Sequence, residues 1–167
     1  MLVGILIEFA LKVEIMEIVL IEPEIPQNTG NIARSCALTG TKLHLVGPLG
    51  YSLDDRYLKR AGLDYWPEVN LQVWESFQEW EQAFTGRRLL LATTKTTRSY
   101  SEVAYRGDEV LVFGCETRGL PNELLSKYPE GLIRIPMRDL GRSLNLANSV
   151  AVILFEALRQ QGFPGLV

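Results

Sequence analysis

Five short apolar runs limit what this chain can become: "MEIVLIEP" (16–23), "KLHLVGP" (42–48), "RRLLLATT" (87–94), "EVLVFGCE" (109–116) and "GLIRIPM" (131–137). Apolar residues follow one another in each with little polar alternation, as in strands buried on both faces. Stretches of helical character lie between and after them, at about 29–39, 53–62, 75–85, 120–127 and 143–161. Asp54 and Ser76 are placed to cap two of these helices, and Pro121 suits the first turn of another. Strand alternating with helix predicts an α/β fold, a mostly parallel sheet with helices on both faces. No linker, repeat or low-complexity tract interrupts the 167 residues, so one domain is expected.

In such sheets ligands bind beyond the carboxyl ends of the strands. The segments to inspect are therefore "EPEIPQNTGNIAR", "TTKTTRSY", "GCETRGLP" and "PMRDLGRSLN". Each follows a strand, and all are rich in amides, hydroxyls, guanidinium groups and glycine. Four such loops at one sheet edge point to a binding site. The usual nucleotide signatures do not describe it, because neither G-x-x-x-x-G-K-[ST] nor G-x-G-x-x-G is present. The one histidine, His44 in "KLHLVG", reads as a structural strand residue. With one histidine, a Ser-His-Asp triad and a multi-histidine metal site are disfavoured, and no metal is expected. Cys36 and Cys115 give no disulfide framework, have no histidine beside them in sequence, and read as packed thiols in a reducing, cytoplasmic setting.

The last helical stretch begins unusually, with Ser143, Asn145, Asn148 and Ser149, residues that favour caps and turns. At 100° per residue, Asn145, Asn148, Ser149 and Val152 fall on one side, and Leu146, Val150, Ile153 and Leu154 on the other. The polar side could hold a cofactor, a loop or a second subunit, or be a cap followed by exposed amides.

A net charge of -3 excludes a uniformly basic coat but leaves room for a local basic patch facing phosphates. Arg56, Lys59 and Arg60 share one helical face, and Lys95, Arg98, Arg138 and Arg142 lie in the edge loops. The apolar N-terminus is interrupted by Glu8, Lys12, Glu14 and Glu17, without an 18-residue span, so no membrane association is expected. Residues 1–15 read as an N-terminal extension to a domain at 16–167, or as lying before a true start at Met16. N-terminal sequencing that finds residue 1 rules out the late start.

Three ordered segments, "NTGNIARSCALTG", "VFGCETRGLP" and "IPMRDLGRSLNLANSVAVILFEA", resemble the signature motifs of the SpoU branch of the SPOUT RNA methyltransferases. The match is nearest to the small single-domain members that methylate the ribose 2'-oxygen of the tRNA wobble cytidine or uridine. "EPEIPQNTGN", "RAGLDYW", "ATTK" and "GFPG" agree as well, so the likeness runs from Met16 onward. It implies S-adenosylmethionine held in a C-terminal deep trefoil knot, a homodimer, and a tRNA substrate. The implied cofactor positions are Ala92, Gly114, Ile135 and Ser143, with Gly119 and Leu144 adjoining. The implied polar active-site positions are Asn28, Arg34, Glu116 and Asn145. Arg34 is expected to anchor a phosphate and stabilise a nascent oxyanion, with Asn28 and Glu116 orienting its guanidinium. Phe155 stands where close relatives often carry tyrosine, so a hydroxyl contact there, at the dimer, is absent. Ribosomal RNA as substrate, a catalytically silent RNA-binding module and another nucleotide-binding α/β protein are the competing readings.

Overall fold

The computed structural model describes residues 16–54 and 65–167. Residues 1–15 and most of the expected helix at 53–62, including Arg56, Lys59 and Arg60, lie outside the described residues. The elements run β1 (Glu17–Ile21), α1 (Pro26–Thr39), β2 (Lys42–Val46), β3 (Leu71–Trp74), α2 (Phe77–Ala83), β4 (Leu89–Ala92), β5 (Val110–Phe113), α3 (Asn122–Lys127), β6 (Leu132–Ile133) and α4 (Leu146–Gln160). Among the described residues six strands form one parallel sheet, in the order β3-β2-β1-β5-β4-β6. β1 is central, with Val19 level with His44 of β2 on one side and Val112 of β5 on the other.

Alternate residues of each inner strand enter two different cores, which is why their sequences are apolar throughout. Ile18, Leu20, Leu43, Leu45 and Leu111 pack with Ile32, Cys36, Val150, Ile153 and Leu154 of α1 and α4. Val19, Ile21, Val46, Val110 and Val112 pack with Trp80, Leu124 and Leu125 of α2 and α3. Helices therefore cover both faces, as expected. Among the described residues, no helix is long and apolar enough to cross a membrane.

Helix ends follow local chemistry. Pro26 opens α1, and Gly40, at φ 68°, closes it. Ser76 Oγ accepts the Glu79 N–H at 3.2 Å to start α2. Pro121 occupies the cap of α3 instead of its first turn. α1 starts three residues before the expected position because its proline is already helical. α4 starts three residues late, because Asn145 is its cap and accepts the Asn148 N–H at 3.2 Å.

Two strands also differ from expectation. β3 was not anticipated, because "LQVW" is a half-exposed edge strand containing Gln72 and lacks a continuous apolar run. β6 is shorter than 131–137, because Arg134 turns to the 98–100 loop: its N–H donates to Arg98 O (2.9 Å), and its carbonyl accepts the Tyr100 N–H (2.8 Å). His44 is wholly buried in β2, bonded to Glu17 and accepting the Trp74 indole N–H at 3.0 Å. Burial raises the Cys36 thiol to about 12, which makes it a packed, unreactive group.

Candidate active site

The four loops singled out from sequence do meet. They enclose a cavity of about 390 Å³ at the carboxyl ends of β4, β5 and β6, closed by the start of α4. This size is within the range of small-molecule sites. Ala92, Gly114, Gly119, Ile135, Ser143 and Leu144 all line it, as do Asn28, Glu116 and Asn145. Arg34 is exposed on α1 and is not part of the lining.

Gly114 is needed for a reason other than ligand approach. A Cβ on it would lie 2.1 Å from the carbonyl carbon of Gly119 and 2.2 Å from the nitrogen of Leu120. The chain's own backbone fills that space, so the loop after β5 folds tightly back over the strand end. The thiol of Cys115 points along the same turn to Gly119 O at 3.7 Å.

Glu116 organises the polar side of the cavity. Its carboxylate accepts the main-chain N–H groups of Glu24 (2.8 Å) and Ile25 (3.2 Å). It also accepts the side-chain amide of Asn28 at 2.9 Å. Ile25 is the cap of α1 and has no side-chain cap of its own, so Glu116 supplies one from another loop. Asn28 passes the chain onward, since its Oδ1 accepts from Asn145 Nδ2 at 2.9 Å. The start of α4 thus answers both sequence-level possibilities at once: Asn145 caps its helix and also joins the network.

The expected contact of Glu116 and Asn28 with Arg34 is not made. The two side chains are committed to each other, Glu116 also to main chain and Asn28 also to Asn145, and the Arg34 guanidinium instead lies over the Tyr65 ring, 4.7 Å from its centroid. Among the described residues Arg34 has no carboxylate partner. Of the loop cations, Lys95 rests on Asn122 Oδ1 at 2.7 Å, and Arg98 donates to Glu130 O at 2.9 Å.

Sequence reasoning missed Tyr65 and the acidic clasp residue Glu24. Tyr65 lay within a quoted motif, yet nothing in its position linked it to Arg34. Glu24 precedes the helix cap, and its partners are revealed only when the loops are brought together. Tyr51, outside the cavity lining, ties down the first turn of α1 by donating to Thr29 Oγ1 at 2.6 Å, with burial pushing its hydroxyl up to about 12.

Comparison with known proteins agrees with this geometry. Residues 15–155 match the model of the SpoU rRNA methylase family. A relative from Methylovorus glucosotrophus, a tRNA (cytidine(34)-2'-O)-methyltransferase, is 54% identical over 152 residues, covering 90% of this chain and 99% of its own. A solved structure from work on the 2-OH methylation of C/U34 on tRNA superposes with a TM-score of 0.85 at 44% identity, covering 89% of this chain and 97% of its own. An AdoMet-bound rRNA methyltransferase from Sinorhizobium meliloti superposes at 0.78 with 26% identity, covering 87% of this chain and 56% of its own. A parallel sheet with its cavity at the strand ends, and motif residues gathered around that cavity, accord with a match spanning nearly the whole described chain: the protein belongs to the SpoU rRNA methylase family.

Proposed function

We propose that this chain transfers a methyl group from S-adenosylmethionine to the ribose 2'-hydroxyl of the wobble nucleotide of tRNA, cytidine or uridine at position 34. The observation that carries this is the gathering of Asn28, Glu116 and Asn145 on the rim of the 390 Å³ cavity. The Methylovorus relative supplies the substrate. Residues 16–167 form the catalytic domain, with residues 1–15 an extension.

The lining fits the methyl donor. Leu120, Ile135 and Leu144 provide apolar walls for a planar base, and the main-chain groups of Ile135 make no hydrogen bond to other described residues. Such strand-end groups suit the reading of adenine by main-chain hydrogen bonds. Ala92, Gly114 and Ile135 would hold the adenine, with Gly119, Ser143 and Leu144 closing around the rest. When bound, S-adenosylmethionine supplies an electrophilic methyl group on a positively charged sulfur.

The protein's part is positioning and electrostatics. Bringing the 2'-oxygen into line with its target is a large term in such reactions. Arg34, with no carboxylate partner among the described residues, anchors a substrate phosphate and stabilises the oxyanion forming at the 2'-oxygen. A guanidinium is a poor base, so the hydroxyl proton leaves to a substrate phosphate or water. Asn28, Glu116 and Asn145 hold α1, which carries Arg34, against the cavity.

The chain acts as a cytoplasmic homodimer with a trefoil knot in its C-terminal third. Val152 and Phe155 of α4 and Leu38 of α1 are exposed apolar residues suited to a second copy, and the turn of residues 119–120 over Gly114 is in keeping with a threaded segment. Ribosomal RNA is the second reading, favoured by the family description and the Sinorhizobium structure. Incubation with labelled S-adenosylmethionine and either total tRNA or ribosomal RNA, followed by mapping of the alkali-resistant linkage, tests both. Label at the tRNA wobble position is expected; label only in ribosomal RNA, or in a base, overturns the proposal.

A further inference from the structure

Glu24 has no part in the chemistry above, yet it closes a ring between two loops. Its carboxylate accepts the Thr117 N–H (3.0 Å) on one oxygen and the Thr117 hydroxyl (2.9 Å) on the other. In return, its own N–H donates to Glu116 at 2.8 Å. Each loop therefore lends a carboxylate to the other's main chain. Neighbouring bonds in the ring share the residue pairs Glu24–Glu116 and Glu24–Thr117, so losing one loosens the others.

The two loops are not equally anchored. On the β1 side, the Glu22 N–H donates to Val46 O at 2.8 Å and the Gly50 N–H to Pro23 O at 2.9 Å. The backbone there is so closely packed that a Cβ on Gly50 would lie 2.8 Å from Glu24 Cα. On the β5 side, Thr117, Arg118 and Gly119 are exposed, and within 115–119 the only main-chain bond is Gly119 N–H to Cys115 O at 2.9 Å. The firm loop thus sets the position of the looser one. That looser loop is a wall of the cavity, since Thr117, Arg118 and Gly119 all line it.

We propose that Glu24 is a positioning residue that holds the 117–119 wall of the cavity in the shape that receives the methyl donor. This rests on the reading of the cavity as the S-adenosylmethionine site. Removal of the carboxylate releases Thr117, and the donor must then pay for ordering the wall on binding. A glutamine can keep the ring, because its amide oxygen accepts the Thr117 N–H while its NH₂ donates to the threonine hydroxyl.

The experiment measures S-adenosylmethionine binding to the full chain by calorimetry, without RNA, for wild type, Glu24→Ala, Glu24→Gln and Thr117→Val. It is paired with amide exchange of the ligand-free proteins. Glu24→Ala is expected to weaken binding about tenfold and to speed exchange at residues 117–119 while leaving α4 protected. Glu24→Gln should bind within about threefold of wild type, and Thr117→Val should fall between Gln and Ala. Steady-state methylation with Glu24→Ala should show a raised KM for the donor and a kcat within about threefold of wild type at saturation. Unchanged affinity in Glu24→Ala, or exchange accelerated uniformly over the sheet, overturns the proposal; if Glu24→Ala does not fold, Thr117→Val at wild-type affinity and exchange does so. A wild-type chain that fails to bind the donor overturns the proposed function, and this inference with it. Binding without methylation of tRNA overturns only the substrate.

Discussion

The two ends of the parallel sheet treat their carboxylates in opposite ways. At the amino ends, charge meets charge under cover. Glu109, wholly buried before β5, takes the Arg88 guanidinium and the N–H groups of Arg106 (2.6 Å) and Gly107 (2.9 Å). Glu17, at the start of β1, pairs with Arg87 at 2.9 Å and with His44. At the carboxyl ends, Glu116 and Glu24 are occupied by main-chain N–H groups, an amide and a hydroxyl. Arg118 is the exception, paired with Glu22 at 3.0 Å but largely exposed, where such a pair contributes little. The difference teaches a division of labour. Ion pairs at one end neutralise buried charge, whereas neutral donors at the other satisfy the carboxylates and leave Arg34 available to a phosphate.

The largest expected effect tests that availability. Arg34→Ala should lower methyl transfer about 100- to 1000-fold, as loss of an oxyanion-stabilising donor does. Donor affinity by calorimetry should stay within about twofold, because Arg34 lies outside the cavity. Arg34→Lys should recover little, since an ammonium has neither the fork of donors nor the planar face that stacks on Tyr65. Full turnover in Arg34→Ala would break the comparison at its active end.

The opposite end should show the reverse signature. Glu109→Ala leaves Arg88 and two main-chain N–H groups without their acceptor and should cost about 3 kcal/mol in urea unfolding. Turnover of the fraction that remains folded should match wild type, since Glu109 touches nothing at the carboxyl edge. A variant with normal stability and impaired methylation would show that the two ends are not separate.

That division was only half legible in the sequence. Five of the six described strands announce themselves because their residues serve two cores at once; β3 does not, because it is a half-exposed edge strand whose short run is broken by polar Gln72, with Val73 exposed. Motif resemblance located Asn28, Glu116 and Asn145, and the structure brings all three to one cavity. Their partners were misjudged. Glu116 suggests an ion pair with Arg34, but its acceptors are filled by the N–H groups of residues 24 and 25. Every non-proline residue carries an N–H, so a main-chain partner leaves no trace in residue type. The same holds for Gly114, whose absent side chain makes room for Gly119 and Leu120, a contact between chain segments that only the fold defines.

The smallest effect concerns acid. Burial alone would raise the Glu17 carboxyl, but hydrogen bonds from His44 and Arg87, reinforced by the charge of Arg87, outweigh it and hold the group below the ordinary glutamate value of 4.5. The tautomer is fixed by Trp74, whose indole can only donate; His44 Nδ1 therefore accepts, and Nε2 carries the proton toward Glu17. A depressed carboxylate stabilises the folded state fully above its unfolded value and loses that contribution as pH falls through its lowered folded value. Wild type should therefore lose stability on acidification below about pH 4.5, as this group takes up its proton. Glu17→Gln should start lower at neutral pH and descend less steeply, so that the two unfolding curves converge in acid. Parallel curves would show that the acid sensitivity does not arise at Glu17, and the amino-end pairing would lose its place in the comparison.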